Sequence, residues 1–330
     1  MPHRGVGGTN LLHDLSIVIV SWNVRDLLQR CLISLRACHE PECETIVVDN
    51  ASSDGSPDMV RRQFPQVKLI ASESNLGFVR ANNLGAAAGT GRYILLLNPD
   101  TEFLDGIAAM VNYMDGHPDV GVLGPRLLFP DGRVQPSRRR FPTLATAFLE
   151  STVLQNWFPR HRVLQDYYAQ EKTDDEEQDV DWLVGACLLI RRTSWDQVGP
   201  LDENIFMYSE ELDWCHRARD AGWRVVYVPW ANVLHHEGQS SEQVIAARHI
   251  YFQSSKVYYF RKYYGALAGE ALRWFLLATY AFQLVAEAAK WLVGHKRALR
   301  QERVVAYLHI LRSGLRIRGE YTLSPGGTTR

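Results

Sequence analysis

The sequence contains no G-x-x-x-x-G-K-[ST] loop, which excludes a P-loop nucleotide site. Its first apolar run ends in Ser21-Trp22-Asn23 rather than G-x-G-x-x-G, which disfavours a dinucleotide dehydrogenase. A G-x-S-x-G elbow is missing as well, so nothing points to an α/β-hydrolase serine. None of the five cysteines (Cys31, Cys38, Cys43, Cys187, Cys215) forms a C-x-x-C pair. The odd count argues against a disulfide framework and for reduced thiols in a cytosolic compartment. Neither sign of charge dominates: Lys and Arg number 36, Asp and Glu 37, for a net charge of −1 over 330 residues. The whole chain therefore gives no electrostatic support for binding nucleic acid, and any anion must be held by a local site. Residues 1–14 lack an apolar run, so no signal peptide is expected and 1–13 read as a flexible leader.

What the chain does have is ample core material, with 46% apolar residues. In the first 125 residues, short apolar runs alternate with helical patterns. Strands are predicted at 15–20, 45–48, 67–70 and 93–97. Between them, helices are expected from the spacing of Leu27, Leu28, Cys31, Leu32 and Leu35, from Met59, Val60 and Phe64, and over 78–89. A further helix is read from Leu104, Ile107, Ala108, Val111 and Met114. Strands with such crossovers imply a parallel sheet covered on both faces, whose ligands bind beyond the carboxyl ends of the strands. Asp49, Asn50 and Asp100 fall at that edge.

Beyond 121 the texture changes. Gly, Pro and Arg punctuate 124–142, and the acidic stretch 173–181 reads as a solvated loop. Strand-like runs are expected at 182–191, 225–228 and 233–236, with a helix in the later part of 206–221. After 241 the pattern is helical to about 314.

Seven stretches, taken in order, resemble family 2 glycosyltransferases, and among them the bacterial rhamnosyltransferase-like branch. They are Ser16-Ile-Val-Ile-Val-Ser-Trp-Asn23, Ile46-Val-Val-Asp-Asn-Ala-Ser-Ser-Asp-Gly55, Asn75-Leu-Gly-Phe-Val-Arg-Ala-Asn-Asn-Leu-Gly85 and Leu95-Leu-Leu-Asn-Pro-Asp-Thr-Glu102. Further on come Trp182-Leu-Val-Gly-Ala-Cys-Leu-Leu-Ile-Arg191, Phe206-Met-Tyr-Ser-Glu-Glu-Leu-Asp-Trp-Cys215 and His235-His-Glu-Gly-Gln-Ser240. Each is weak alone; the ordered set, covering 14–265, is specific. The resemblance implies an α/β GT-A fold, a mostly parallel twisted sheet covered by helices, with a C-terminal helical extension. It divides the chain into a catalytic domain at 14–240 (nucleotide-binding half 14–125, acceptor and catalytic half 126–240) and an amphipathic helical region at 241–330.

The resemblance also assigns roles. Ser21, Asn23, Asp49 and Asn82 would line the donor nucleotide. A carboxylate at a strand end suits ribose hydroxyls or a base N–H, although Asp49 also suits an Asx-turn. Asn98-Pro99-Asp100 stands where the family has D-x-D, so Asp100 would be the strong ligand of a divalent cation, Mg²⁺ or Mn²⁺, that neutralises the donor diphosphate. With the first Asp replaced, Asn98 would reach the sugar or a metal-bound water; the alternative is a turn. His235 would complete the metal shell, with His236 in reserve and Glu102 as an outer partner. Gly185 and Ala186 would leave room beneath the donor sugar, and a packed core strand is compatible with that. Glu211 would be the base where the family places Asp, because Asp213 diverges from it by about 200° around a helix. Acids in a helix's first turn also simply favour its dipole.

The implied activity is inverting transfer of a sugar, L-rhamnose from dTDP-rhamnose by branch resemblance, to a saccharide or lipid-linked acceptor in cell-envelope polysaccharide synthesis. The rival is a non-catalytic homologue that binds nucleotide as a scaffold. In 272–293 the polar residues Thr279, Gln283, Glu287 and Lys290 form one stripe of an amphipathic helix, and a basic segment follows. Two readings stay open for it: peripheral contact with the cytoplasmic face of the membrane, or packing as a hairpin on protein.

Overall fold

The run Ser16–Val20 is β-branched after its first residue and buried on both faces, as a central strand of a parallel sheet requires. In the computed structural model, which describes residues 13–36, 42–236, 245–294 and 296–316, it lies within β1 (His13–Ser21). There follow α1 (Arg25–Arg36), β2 (Cys43–Asp49), α2 (Ser56–Gln63), β3 (Lys68–Ala71), α3 (Phe78–Ala88), β4 (Gly91–Leu97), β5 (Thr101–Asp105), α4 (Ile107–Gly116) and β6 (Val120–Leu128). Short elements come next: β7 (Val134–Gln135), β8 (Arg138–Arg139), α5 (Leu144–Leu149), α6 (Val153–Trp157), α7 (Arg162–Tyr167), β9 (Gln178–Val180) and β10 (Trp182–Leu183). The chain continues through β11 (Cys187–Arg191), α8 (Arg192–Val198), α9 (Glu210–Asp220), β12 (Arg224–His235), α10 (Ile245–Tyr264), α11 (Ala266–Leu292) and α12 (Arg297–Ser313).

The described residues divide into two compact units. The first comprises 13–139, Lys172–Leu201 and 214–236; the second comprises Arg140–Glu171, Asp202–Asp213 and 245–316. The units are not consecutive in the chain. Two stretches expected within 14–240 group with the C-terminal helices instead.

The first unit is built on one sheet of order β3-β2-β1-β4-β11-β6-β12-β5, with β7 beside β6 and β9 beside β12. Strands β3, β2, β1 and β4 are mutually parallel, as expected. The other half is mixed. β11 runs antiparallel to both β4 and β6, β12 is parallel to β6, and β5 returns to the far edge antiparallel to β12. The larger core, with Leu28, Phe64, Tyr93, Met110 and Met114, fills one face. On the other face α3 lies close because its contact residues are small. A Cβ on Gly85 would meet Val18 Cγ1 at 2.3 Å. At Gly91 an added Cβ would fall 2.4 Å from the Ser16 nitrogen and 2.7 Å from the Leu15 carbonyl carbon, both backbone. Backbone cannot yield there, so Gly91→Ala is expected to destabilise the fold by about 1–3 kcal/mol, read as a lower urea midpoint at unchanged slope.

Three details differ from the sequence reading. Leu104 belongs to β5, not to α4, because Gly106 at φ 95° ends the strand and starts the helix. The run 182–191 is broken at 184–186 into β10 and β11. The two runs at 225–236 are one strand, irregular between Val228 and Asn232, where Pro229 cannot donate to the ladder. The acidic stretch is exposed over 175–177, as expected of a solvated loop, and its carboxylates have partners. Asp174 pairs with Arg138, Asp175 with Arg126 at 2.5 Å and Asp179 with Arg224 at 2.8 Å, while Glu177 accepts from Tyr113.

In the second unit α10, α11 and α12 pack together. Arg273 and Glu287 of α11 are buried among them. Glu287 is paired with Arg300 of α12 and with Lys290 at 3.2 Å. The stripe that contains Glu287 therefore turns partly inward, and that inward face also carries Leu272, Leu276, Leu277 and Tyr280.

Candidate functional site

The adjacent parallel strands β1 and β2 end together, with Ser21 paired in register with Asp49. Both are buried, and each leaves an oxygen without a hydrogen-bond partner: Ser21 Oγ and Asp49 Oδ1. Buried polar atoms are rarely left so unless a ligand or water satisfies them. The other oxygen of Asp49 accepts from the Ser52 N–H, three residues on, at 2.9 Å, so Asp49 braces the following loop and still has one oxygen to offer. Asn23, at φ 52°, clasps the loop after β2: its N–H donates to Ser52 Oγ and its Oδ1 accepts from the Ser53 N–H. Asn50 ties down the next loop by donating to the Gly77 carbonyl and accepting from the Leu76 N–H. Asn82 is buried on α3, where its amide donates to the Phe78 carbonyl at 2.9 Å. Asp54 accepts from the N–H groups of Arg25 and Ser56. Partial burial raises its carboxyl, but these hydrogen bonds outweigh that and hold it below the usual range.

At the end of β4, the Asn98 N–H donates to the Ala186 carbonyl at 2.9 Å. The break between β10 and β11 thus brings Gly185-Ala186 beside the Asn-Pro-Asp turn. Thr101 Oγ1 donates to the Asn98 carbonyl, and Asn98 Oδ1 is buried without a partner. Cys31 lies beneath, its thiol pushed by burial up to about 12, so it acts as packing and not as a nucleophile.

Asp100 and His235, 135 positions apart in sequence, meet because β12 pairs with β5 and sets His235 opposite Thr101. The His236 N–H donates to the Asp100 carbonyl at 2.9 Å, which locks the turn to the strand. Both side chains are buried, with His235 Nε2 3.5 Å from Asp100 Oδ1. On the far side of the ring His235 Nδ1 lies 2.8 Å from Gln135 Oε1. A carboxamide oxygen only accepts, so Nδ1 donates to it, and in the neutral imidazole the Nε2 lone pair then faces the carboxylate. Two acceptors facing each other in a buried place suit a shared cation. Imidazole and carboxylate are ligands for Mg²⁺ or Mn²⁺, whose remaining positions diphosphate oxygens and water would fill. Among the described residues no cluster of three or more His, Cys, Asp or Glu could hold a metal without such help. His236, the reserve choice, is tied instead to Glu102 at 2.7 Å.

Gln135 was not singled out by sequence. It lies 100 residues before His235 in a stretch with no periodic signal, and only the pairing of β7 with β6 places it. Gln135→Leu should leave the ring free to turn and weaken Mn²⁺ binding about 10–100-fold. Paramagnetic titration of Mn²⁺ with nucleoside diphosphate present measures this, and unchanged affinity would remove Gln135 from the account.

The second unit holds the acidic pair. Glu210 and Glu211 open α9 directly after Tyr208 (φ 68°) and Ser209 (φ 64°), two successive left-handed residues that are not glycine. The strained turn is held by α10. Ser255 Oγ donates to the Met207 carbonyl at 2.9 Å, and Phe206 stacks on Tyr251 at 4.6 Å. Asp213 faces away from any base role, its buried carboxylate accepting from Lys262 at 2.6 Å and Tyr263 at 2.9 Å. Lys262 also pairs with Asp202 at 2.8 Å, so one ammonium clamps both ends of the segment that carries the two glutamates. Burial, with the Glu211 charge beside it, holds the Glu210 carboxyl well above the usual range. Of the pair, Glu210 is the one whose neutral form this surrounding favours. Arg138 is buried on Asp174 and on the carbonyls of Lys172 and Thr173, and Arg140 pairs with Glu171.

A twisted open sheet with acidic and amide side chains at the carboxyl ends of its first strands is the GT-A fold of nucleotide-diphospho-sugar transferases. Solved structures with that fold align with it. A mannosyltransferase from Pyrobaculum calidifontis in complex with GDP-Man and Mn²⁺ covers 96% of this chain and 90% of its own, with TM-score 0.54 at 17% identity. GalNAc-T7 with UDP, GalNAc and Mn²⁺ gives 0.51 at 18% identity over 68% of this chain, which spans 43% of that one. The family model Glycosyl transferase family 2 matches residues 16–199. The chain belongs to glycosyl transferase family 2. It is 37% identical over 239 residues, 69% of its length and 77% of the relative's, to the N-acetylglucosaminyl-diphospho-decaprenol L-rhamnosyltransferase of Mycobacterium tuberculosis. It is also 28% identical to the rhamnosyltransferase WbbL of Escherichia coli, over 67% of this chain and 82% of that protein.

Proposed function

We propose that the protein transfers L-rhamnose from dTDP-rhamnose to a hydroxyl of a lipid-linked saccharide, with inversion at the anomeric carbon, at the cytoplasmic face of the membrane. The observation that carries the reading is the buried pair Asp100–His235, oriented by Gln135 at the edge where the donor strands end. The sugar and the acceptor class are supported by the name of the Mycobacterium tuberculosis relative. Asp49 and Ser21 offer their unpartnered oxygens to the nucleoside, and Asn98 offers its own to the sugar or its phosphate. Asn23 acts by holding the loop that shapes this pocket, and Asn82 stays at the donor-facing end of α3. Gly185-Ala186 gives the ring room. Asp100 and His235 would hold a divalent cation, which when bound would supply positive charge to the departing diphosphate. Glu211 takes the acceptor hydroxyl proton while that oxygen attacks the anomeric carbon from the face opposite the diphosphate. The bond from carbon to phosphate oxygen breaks, the diphosphate leaves with the electron pair, and no covalent enzyme intermediate forms.

The experiment is a panel of nucleotide sugars with a polyprenyl-diphosphate-GlcNAc acceptor and Mn²⁺ or Mg²⁺. The product's anomeric configuration is then read by NMR. Transfer from dTDP-rhamnose alone, with inversion, agrees with the proposal. Retention of configuration, or nucleotide binding with no transfer from any donor, would overturn it.

A further inference from the structure

Helix α11 carries two apolar faces, and only one of them has a protein partner. The covered face bears Leu272, Leu276 and Tyr280 with the paired charges Arg273 and Glu287. Opposite it, Leu267, Trp274, Phe282, Val285 and Leu292 are each 62% to 89% exposed. Their spacing of seven, eight, three and seven residues places them on one side of the helix, and the exposed positions between them on that side are alanine. No charged residue interrupts this stripe from 271 to 292, so it runs for most of a helix about 40 Å long. Charges usually mark the water side of a surface helix; in α11 Arg273 and Glu287 are buried, and Glu270 and Lys290, about half exposed, are paired with them away from the stripe. At the stripe's end Trp291, Leu292 and Val293 are exposed, followed by the exposed cations Lys296 and Arg297. The same unit repeats the combination at the end of α6, where exposed Trp157 and Phe158 precede exposed Arg160 and Arg162. Of the eighteen exposed large apolar side chains among the described residues, fourteen lie in this unit, so the feature is local and not general stickiness.

We infer that the outer face of α11, with its Trp291–Val293 end, lies on an anionic phospholipid bilayer. No helix among the described residues is long and apolar enough to cross a membrane, so α11 rests in the interface with its apolar stripe among the upper acyl chains. Lys296 and Arg297 then meet phosphate headgroups, and the indoles of Trp274 and Trp291 sit at headgroup depth. Charge selects lipid over a second copy of the chain. A two-fold contact through this stripe would bring its cationic end against the partner's own stripe, whereas an anionic leaflet is complementary to it. The inference extends the reading of a lipid-linked acceptor, and its test uses neither donor nor acceptor, so either can fail without the other.

The test is flotation of the full chain with vesicles of phosphatidylcholine, alone or mixed with phosphatidylglycerol. Melting and nucleotide binding of each variant serve as folding controls. The wild type should float with the anionic vesicles. Trp274→Glu with Phe282→Glu should lower partition at least about tenfold, since two large apolar groups are lost from the contact. Lys296→Glu with Arg297→Glu should cost about tenfold on anionic vesicles and little on neutral ones. Failure of the wild type to float would overturn the inference. So would a dimer in lipid-free buffer that Phe282→Glu dissociates, because the stripe would then belong to a second copy.

Discussion

Glu211→Gln is expected to lower turnover about 10²–10⁴-fold, the range a positioned general base contributes, with donor affinity little changed. The substitution keeps the shape of the side chain and removes the charge and basicity that the proposed proton acceptor needs. Its counterpart is the informative control. Burial and the neighbouring charge hold Glu210 well above the usual carboxylate range, which favours its neutral form. Glu210→Gln therefore changes little in charge, and its turnover should stay within about an order of magnitude of wild type. Single-turnover transfer with saturating donor, compared for the two variants, decides the matter. Equal losses would mean that the carboxylates act as one unit, and a larger loss for Glu210→Gln would reverse their roles. Asp213→Asn is no substitute test, because it breaks the contacts with Lys262 and Tyr263 and moves the turn itself.

Asp100→Asn is expected to lower kcat/KM by about 10³-fold, consistent with several kcal/mol of charge stabilisation lost from the leaving diphosphate. His235→Ala should act in the same direction, and the double variant should lose less than the product of the two, because both groups serve one cation. Activity alone would not separate metal loss from misfolding. Electron paramagnetic resonance of Mn²⁺ with nucleoside diphosphate gives an independent reading, in which wild type should bind and Asp100→Asn should not. Activity that persists in EDTA with wild-type protein would show that the buried pair serves a purpose other than holding a cation.

The parallel half of the sheet was legible because both faces of β1, β2 and β4 are covered, so their sequences are nearly unbroken apolar runs. The ends of such runs are then necessarily the ends of strands, which is how Asp49 and Asp100 stood out. The antiparallel half was harder. β11 reaches its place through a long stretch of turns and short helices that carries no period, and strand direction is a property of that path. Leu104 fits the spacing of Ile107 and Val111 as well as it fits an alternating strand, and only the left-handed backbone of Gly106 separates the two. The acidic stretch is exposed as expected, but its ion pairs were not legible because the partners, Arg126, Arg138 and Arg224, are distant in sequence. Asp100, Glu211 and His235 could be named from the family resemblance. Gln135 and Lys262 could not, since their importance comes from what they touch and not from any local pattern. The same limit applies to α11, whose polar residues mark a face but cannot say whether water or Arg300 lies against it.

The clamp on the Glu210–Glu211 turn has a consequence in time. Asp213 leaves the ribosome 49 residues before Lys262, its partner. When the sheet-forming strands through β12 have all been made, α10 is still to come, and the turn at Tyr208 and Ser209 lacks the contacts that α10 makes with it. The donor strands can thus assemble on a nascent chain that does not yet possess a fixed acidic pair. Competence arrives last, with the helices that also carry the exposed apolar stripe.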